Sequence, residues 1–304
     1  MRWQAILLVL WASVGVAQQN LPTAQSAGSS GAGSVLGFSY QTSYKDVYCA
    51  GFISRERFRT GRAVQGGSRS PEVGHFTAKE TVFLAGSGYE VGSRYAIVRD
   101  IRDPNRYEYF KGQNKQLDRL GHLYAELGQL RIDHIENGYA LATIEASCQP
   151  IMVGDVVIPF RDKGSFAAQP RTTPFQVFGV TLPRRHGMIV MSNEFDNVFG
   201  LHKIVYINLG SRAGLKPGDY LRISRTYDPN KMPEENRLTM DSPGYDPTQR
   251  HRLTVSPRSM KNWPVKGLGE LMVISATSDT ATCIVTMALE NLQSGDLVAP
   301  EDER

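Results

Sequence analysis

LGQLRIDHIENGYALATIEASCQPIMVGDVVIP, residues 127–159, lies without a gap over LGELMVISATSDTATCIVTMALENLQSGDLVAP, residues 268–300. Eight of the 33 positions are identical, and many of the others exchange one apolar residue for another. The likeness continues upstream. AGSGYEVGSRYAIVRDIRDPN (85–105) matches LGSRAGLKPGDYLRISRTYDPN (209–230), each closing on Asp-Pro-Asn. ETVFLAG matches KIVYINLG, and CAGFISRERFRTGRAV loosely matches VFGVTLPRRHGMIV. A self-likeness on this scale predicts one supersecondary unit built twice. The units span 46–160 and 175–304.

Each unit reads as strands. VFLAG, RYAIVR, GQLRID and ALATIEA alternate apolar and polar residues and are rich in Val, Ile, Tyr and Thr; KIVYINL, YLRISR, GELMVIS and ATCIVTM are their counterparts. Gly-Asp, Asn-Gly, Ser-Asp and Asp-Pro-Asn punctuate them as turns. Several short strands with tight turns in some 110 residues predict an all-β fold of two tandem small β-barrel-like, SH3-like repeats. KGQNKQLDRLGHLYAEL (111–127) reads equally as a helix or as an extended hairpin arm.

The chain has 304 residues, 41% of them apolar, with 34 Lys and Arg against 30 Asp and Glu. It opens on MRWQ, then the apolar run AILLVLWASVGV, then AQQ. One positive charge, a dozen mostly apolar residues and small residues at Gly15 and Ala17 predict a signal peptide over 1–17, cleaved after Ala17. The run is too short for a membrane span of about 20 residues. Cleavage removes Arg2 and lowers the formal charge from +4 to +3, which makes no case for nucleic acid, whose binding needs a concentrated basic surface. No later stretch is long and apolar enough to cross a bilayer. Residues 18–45, rich in Gly, Ser, Gln and Ala, predict a flexible tether. RDKGSFAAQPRTTP (161–174) predicts the linker between the units. TYDPNKMPEENRLTMDSPGYDPTQRHRLTVSPRSMKNWP, residues 226–264, is a long polar loop special to unit two; such loops are functional or disordered.

The repeat bears on the three cysteines, Cys49, Cys148 and Cys283. Cys49 aligns with Val177 and Cys148 with Leu289, so unit two has an apolar pair where unit one has a thiol pair. That predicts a Cys49–Cys148 disulfide, contributing on the order of 4 kcal/mol by closing a loop of about 100 residues; the competing reading leaves two buried thiols. Cys283, opposite Ala142, reads as a buried free thiol. No CxxC supports a zinc or redox motif.

The candidate chemistry is sparse. HExxH, GxSxG, P-loop and EF-hand patterns are missing from the sequence, and GSGYEVG (86–92) has the wrong spacing for a dinucleotide fingerprint. Among the six histidines, His122 and His134 would have to lie on neighbouring strands to share a metal; no metal site or cofactor is expected. SRERFRTGR (54–62) and its counterpart PRRHG (183–187) form the candidate binding surface: Arg55, Arg57, Arg59, Arg62, Arg184 and Arg185. Its expected partner is an anionic polymer such as a cell-wall glycan or lipid headgroup, with Phe58 adding stacking area; the alternative is a solvated strand arm. Asp155 and Asp296, in VGDVVIP and SGDLVAP, stand at equivalent places. Gly218–Asp219 of unit two aligns with Gly92–Ser93 of unit one, so an acid is not retained at that turn. The pair therefore reads as one turn repeated rather than as two catalytic acids.

VYINLGSRAGLKPGDYLRISR (205–225), LGELMVISATSDTATCIV and SGDLVAP together resemble the C-terminal domain of the FlgT family of flagellar T-ring assembly proteins, and similar small β-modules of exported bacterial proteins, some of which carry peptidoglycan-binding LysM modules. EVGSRYAIVR and MVGDVVIPF of unit one are similar to a more divergent copy. The resemblance implies a non-enzymatic protein of the Gram-negative periplasm or cell surface, acting by assembly or attachment on an envelope protein or on peptidoglycan. The chain shows neither a second FlgT-type domain nor a LysM segment, so no flagellar role and no functional residue is carried over. The competing reading is a secreted hydrolase or carbohydrate-active protein with its site between the units, for which Asp155 and Asp296 would face each other across a cleft. Oligomerisation through exposed sheet edges is a third expectation.

Overall fold

The computed structural model describes residues 42–164 except 60 and 106, residues 175–228 except 180, residues 230, 232–234, 236, 237 and 248, and residues 257–300. Residues 1–17, expected as a signal peptide, nearly all of 18–45, expected as a tether, residues 165–174 of the expected linker and most of 226–264 lie outside the described residues. No described helix is long and apolar enough to cross a membrane.

The first unit opens with a short helix, α1 (Tyr44–Tyr48), which begins inside the stretch expected to be a tether. Ser43 explains the start. Its hydroxyl accepts from the Asp46 N–H at 3.2 Å and the Asp46 carboxylate accepts from the Ser43 N–H at 2.8 Å, a reciprocal capping box. There follow β1 (Phe52–Ser54), β2 (Ala63–Gly67), β3 (His75–Phe76), β4 (Thr81–Ala85) and β5 (Arg94–Ile101). Helix α2 (Gln113–Leu120), then β6 (His122–Glu136), β7 (Tyr139–Ser147), β8 (Ile151–Met152) and β9 (Val156–Pro159) complete it. So 111–127 is a helix broken at Gly121, followed directly by a strand.

The second unit comprises β10 (Gly187–Ser192), β11 (Val198–Phe199), β12 (Ile204–Ile207), a 3-10 turn at Ser211–Ala213, β13 (Tyr220–Arg225), helix α3 (Pro257–Met260), β14 (Lys266–Ala276), β15 (Ala281–Ala288), β16 (Leu292–Gln293) and β17 (Leu297–Pro300).

Both units close into six-stranded antiparallel barrels of the same circuit. Unit one runs β6-β5-β9-β2-β4-β7 and back to β6, with β1 added outside β6. Unit two runs β14-β13-β17-β10-β12-β15 and closes on β14. The two-stranded pair β3–β8 recurs as β11–β16. Equivalence holds to the residue. Val82 pairs with Ala142 as Val205 pairs with Cys283, and Leu130 pairs with Ile144 as Leu271 pairs with Val285. The register shifts recur as well: Ile97/Val98 with Ile223/Ser224, Gln129/Leu130 with Glu270/Leu271, and Val64/Gly66 with Ile189/Met191. A bulge bends a strand and tightens its twist, which is what closing a small barrel requires. In β2 the pairing corrects the loose upstream alignment by one residue, since Val64 matches Ile189 and not Val190.

Each barrel is filled by its own core. Val64, Ile97, Leu127, Leu130 and Ile144 fill one; Ile189, Ile223, Leu268, Leu271 and Val285 fill the other at the matching places. Cys283 is a free, fully buried member of the second core, as its alignment with Ala142 predicts. Gly128 and Gly269 are required by close approach: a Cβ there would stand 2.3 Å from the Ala146 carbonyl oxygen and 2.1 Å from that of Met287.

A third apolar cluster joins the barrels. Ile53, Leu120 and Leu123 of the first unit pack with Val190, Met191 and Tyr206 of the second.

Candidate functional site

The paired Gly-Asp turns decide between a catalytic and a structural reading. Gly154 and Gly295 adopt φ of 94° and 99°, which a side chain disfavours. The aspartate that follows folds back on its own turn. Asp155 Oδ2 accepts the Met152 N–H at 2.6 Å, and Asp296 Oδ2 accepts the Gln293 N–H at 2.8 Å. An arginine from the adjacent strand then grips each carboxylate with two bonds. Arg99 on β5 holds Asp155 at 2.7 and 2.8 Å and also donates to the Pro150 carbonyl. Arg225 on β13 holds Asp296 at 2.7 Å twice and donates to the Asn291 carbonyl. Asp155 and Asp296 are 4% and 1% exposed. Burial pushes the Asp296 carboxyl up, and the Arg225 guanidinium and Gln293 N–H pull against it. These are clasps that tie the last strand of each barrel to its neighbour. The sequence carried the signal, since AIVR and RISR align arginine on arginine, but it does not say that the strands bearing Arg and Asp are adjacent.

The arginine stretch divides between two tasks. Arg62 Nε donates to the Ser87 carbonyl at 2.9 Å and Nη2 to that of Gly88 at 3.2 Å, with its guanidinium 5.4 Å from the Tyr89 ring centre. It braces the Gly-rich hairpin 86–92. Arg55 turns to the other barrel: its Nε donates to the Arg119 carbonyl at 3.1 Å and stands 3.4 Å from Asp279. Arg57, Arg59, Arg184 and Arg185 are exposed. Phe58 is half-buried, its ring edge-on to Tyr124 at 4.9 Å, and so belongs to an aromatic cluster on the outside of barrel one. His122 and His134 lie on the same strand, twelve residues and up to roughly 40 Å apart along it, and each pairs with a local acid, Asp100 or Glu136. No group of metal-ligating residues occurs among the described residues.

Sequence reasoning missed the way β1 is held. On one side it pairs with β6. On the other, side chains of barrel two take its neighbouring carbonyls: Tyr206 OH donates to Ala50 at 2.7 Å, Thr282 to Gly51 at 2.9 Å and Thr280 to Ile53 at 3.0 Å. Burial pushes the Tyr206 phenol up, so it stays a donor. Upstream, the predicted Cys49–Cys148 disulfide anchors this segment to the end of β7, with a Cα–Cα distance of 5.6 Å. The start of the linker folds over it. Lys163 Nζ donates to the Val47 carbonyl at 2.8 Å and to Glu126 at 2.7 Å, while Glu126 also accepts from the Gly51 N–H at 3.1 Å. Segment 47–54 is thus a splint, locked covalently to one barrel and hydrogen-bonded to the other. Unit two lacks the lock. Val177 and Leu289 stand where alignment puts the cysteines, but Leu289 is 44% exposed, so no packed apolar pair replaces the bridge.

A polar cleft of about 450 Å³ opens beside the splint, at the seam. Ser54, Arg55 and Arg161 line it from barrel one; Ser211, Ser278 and Asp279 line it from barrel two. Asp279 is shared across the seam: Arg212 holds it at 2.7 Å, the Ser278 hydroxyl donates to it at 2.9 Å, and Arg55 approaches from the other barrel. Neither Asp155 nor Asp296 lines this cleft. A comparison with protein-family models finds no match for the chain, and a search among curated proteins finds no relative.

Proposed function

We propose that this chain is a non-enzymatic envelope protein of a Gram-negative bacterium, exported by its N-terminal segment, which attaches through its paired barrels to peptidoglycan or to an envelope assembly. The observation that carries this reading is the use made of the repeated carboxylates. Asp155 and Asp296, which a hydrolase would need free and opposed, are each buried and engaged by an arginine in the wall of a separate barrel. What the duplication builds is instead a two-barrel body with a covalently locked splint and a polar cleft at its seam. The disulfide accords with an oxidising compartment. The resemblance of the repeat to envelope assembly modules points the same way.

Co-sedimentation of the mature chain, residues 18–304, with purified peptidoglycan sacculi and with envelope membranes tests the proposal. Retention on either fraction is the expected result. A protein that stays in the supernatant with both removes the attachment reading.

A further inference from the structure

We infer that the seam cleft is a binding site for the carboxylate of a short acidic peptide; this rests on the envelope reading and names the ligand class for it. The acid at the centre of the cleft, Asp279, is already answered by Arg212 at 2.7 Å and by the Ser278 hydroxyl. Arg55 is fixed by its Nε, through the Arg119 carbonyl and Asp279, which leaves both terminal amino groups of its fork to donate. Arg161 is exposed and makes no ion pair among the described residues. Two guanidinium groups, one held in place and one exposed, therefore line the cleft with one remaining acid, Glu56.

The hydroxyls add direction. Ser54 Oγ accepts from the Glu56 N–H at 3.0 Å and keeps its own proton to give. Ser211 faces it from the other barrel. Guanidinium forks with flanking hydroxyl donors match the planar, acceptor-only geometry of a carboxylate. None of the residues lining the cleft is aromatic, so it offers no platform on which a sugar ring would stack. Its volume lies within the roughly 300–1,000 Å³ usual for small-ligand sites. Peptidoglycan stem peptides carry several carboxylates and no bulky side chain, and they meet these requirements.

The test is calorimetric titration of the mature protein with the free stem tetrapeptide L-Ala-γ-D-Glu-meso-diaminopimelate-D-Ala. The same peptide with every carboxyl amidated and an uncharged N-acetylglucosamine tetrasaccharide are the comparison ligands. The acidic peptide is expected to bind, the amidated one at least about 10-fold more weakly, and the sugar not at all. Arg161→Ala should weaken the acidic peptide by about 10-fold, the worth of one charge-assisted bond, and Arg161→Glu should abolish it. Neither variant disturbs a described contact, so both should keep the wild-type urea midpoint. Equal binding by Arg161→Glu, equal binding of the amidated peptide, or no binding of the acidic peptide overturns the assignment. Sacculi that retain wild type and Arg161→Glu alike would leave attachment standing while removing the cleft as its site.

Discussion

Replacing Arg225 with methionine removes the guanidinium from the second clasp and keeps most of the side chain's length. Asp296 is then a carboxylate 1% exposed, with the Gln293 N–H as its remaining described partner. Stripping one partner from a buried ion pair costs about 3–5 kcal/mol, because the other charge stays desolvated. Arg225 itself is 17% exposed at its side chain, so some water can follow, which places the expected loss near 3 kcal/mol. In barrel one the same change at Arg99, whose side chain is 27% exposed, should cost less, about 2 kcal/mol. The double variant Arg225→Met/Asp296→Asn removes the stranded charge but keeps an acceptor for the Gln293 N–H. It should recover about half of the loss, a coupling of the size neighbouring groups show. Urea denaturation with the disulfide intact, read by the fluorescence of Trp263, measures this, since Trp263 is the sole tryptophan after residue 17 and lies in unit two. A loss below about 1 kcal/mol in Arg225→Met, or a double variant no more stable than the single, would refute the clasp as the reason these aspartates recur.

Further outcomes follow from the splint and the cores. Reducing the disulfide, or making Cys148→Ala, should lower stability by about 4 kcal/mol through loop entropy; an unchanged urea midpoint with and without reductant would contradict it. Tyr206→Phe and Thr282→Val each strand a buried carbonyl of the splint and should each cost about 1–2 kcal/mol. Hydrogen exchange at residues 50–54 should quicken in both while barrel one keeps its protection, and uniform loss of protection would count against a local splint. Gly128→Ala and Gly269→Ala press a methyl into a facing carbonyl and should destabilise both barrels by similar amounts, on the order of 2 kcal/mol; tolerance of either, read by thermal melting, would show that the copies are not equivalent there. Burial raises the Glu126 carboxyl above the ordinary glutamate range, with Lys163 pulling against it. The folded state thus holds that proton more tightly than the unfolded chain, and the group's contribution falls as pH rises through its folded pKa. Glu126→Gln should therefore compare more favourably with wild type at pH 7 than at pH 4.5, and urea midpoints showing the reverse order would reject that sign.

The duplication and the barrels were legible because the evidence for them is local. Apolar alternation, Gly-Asp and Asp-Pro-Asn turns recur at fixed separations, and a gapless match over 127–159 and 268–300 carries both strand order and register. The disulfide was inferred from a pair of positions exchanged together, and the bridge is there, but the exchange is not the packed apolar pair the inference assumed, since Leu289 is exposed. Partnerships across the barrel were not. Arg99 meets Asp155 because β5 and β9 are neighbours, a matter of closure that no window of sequence contains. The three-residue β1 has too little pattern to announce itself, and the residues that hold it, Tyr206, Thr280 and Thr282, look like ordinary strand polar residues until the second barrel sets them against its carbonyls. The arginine stretch was visible as charge, yet its ends part to different neighbours, Arg62 to its own hairpin and Arg55 to the seam. Helix α2 was ambiguous because Gly112 and Gly121 flank it as they would a turn.

The proposed function places this two-barrel body at the cell envelope. Fractionating the native cells and analysing the chain by non-reducing mass spectrometry tests it most directly. The expected result is a protein in the periplasmic or envelope fraction that begins at Gln18 and yields a linked Cys49–Cys148 peptide, with Cys283 free. A cytosolic protein that begins at Met1 with three free thiols would contradict it.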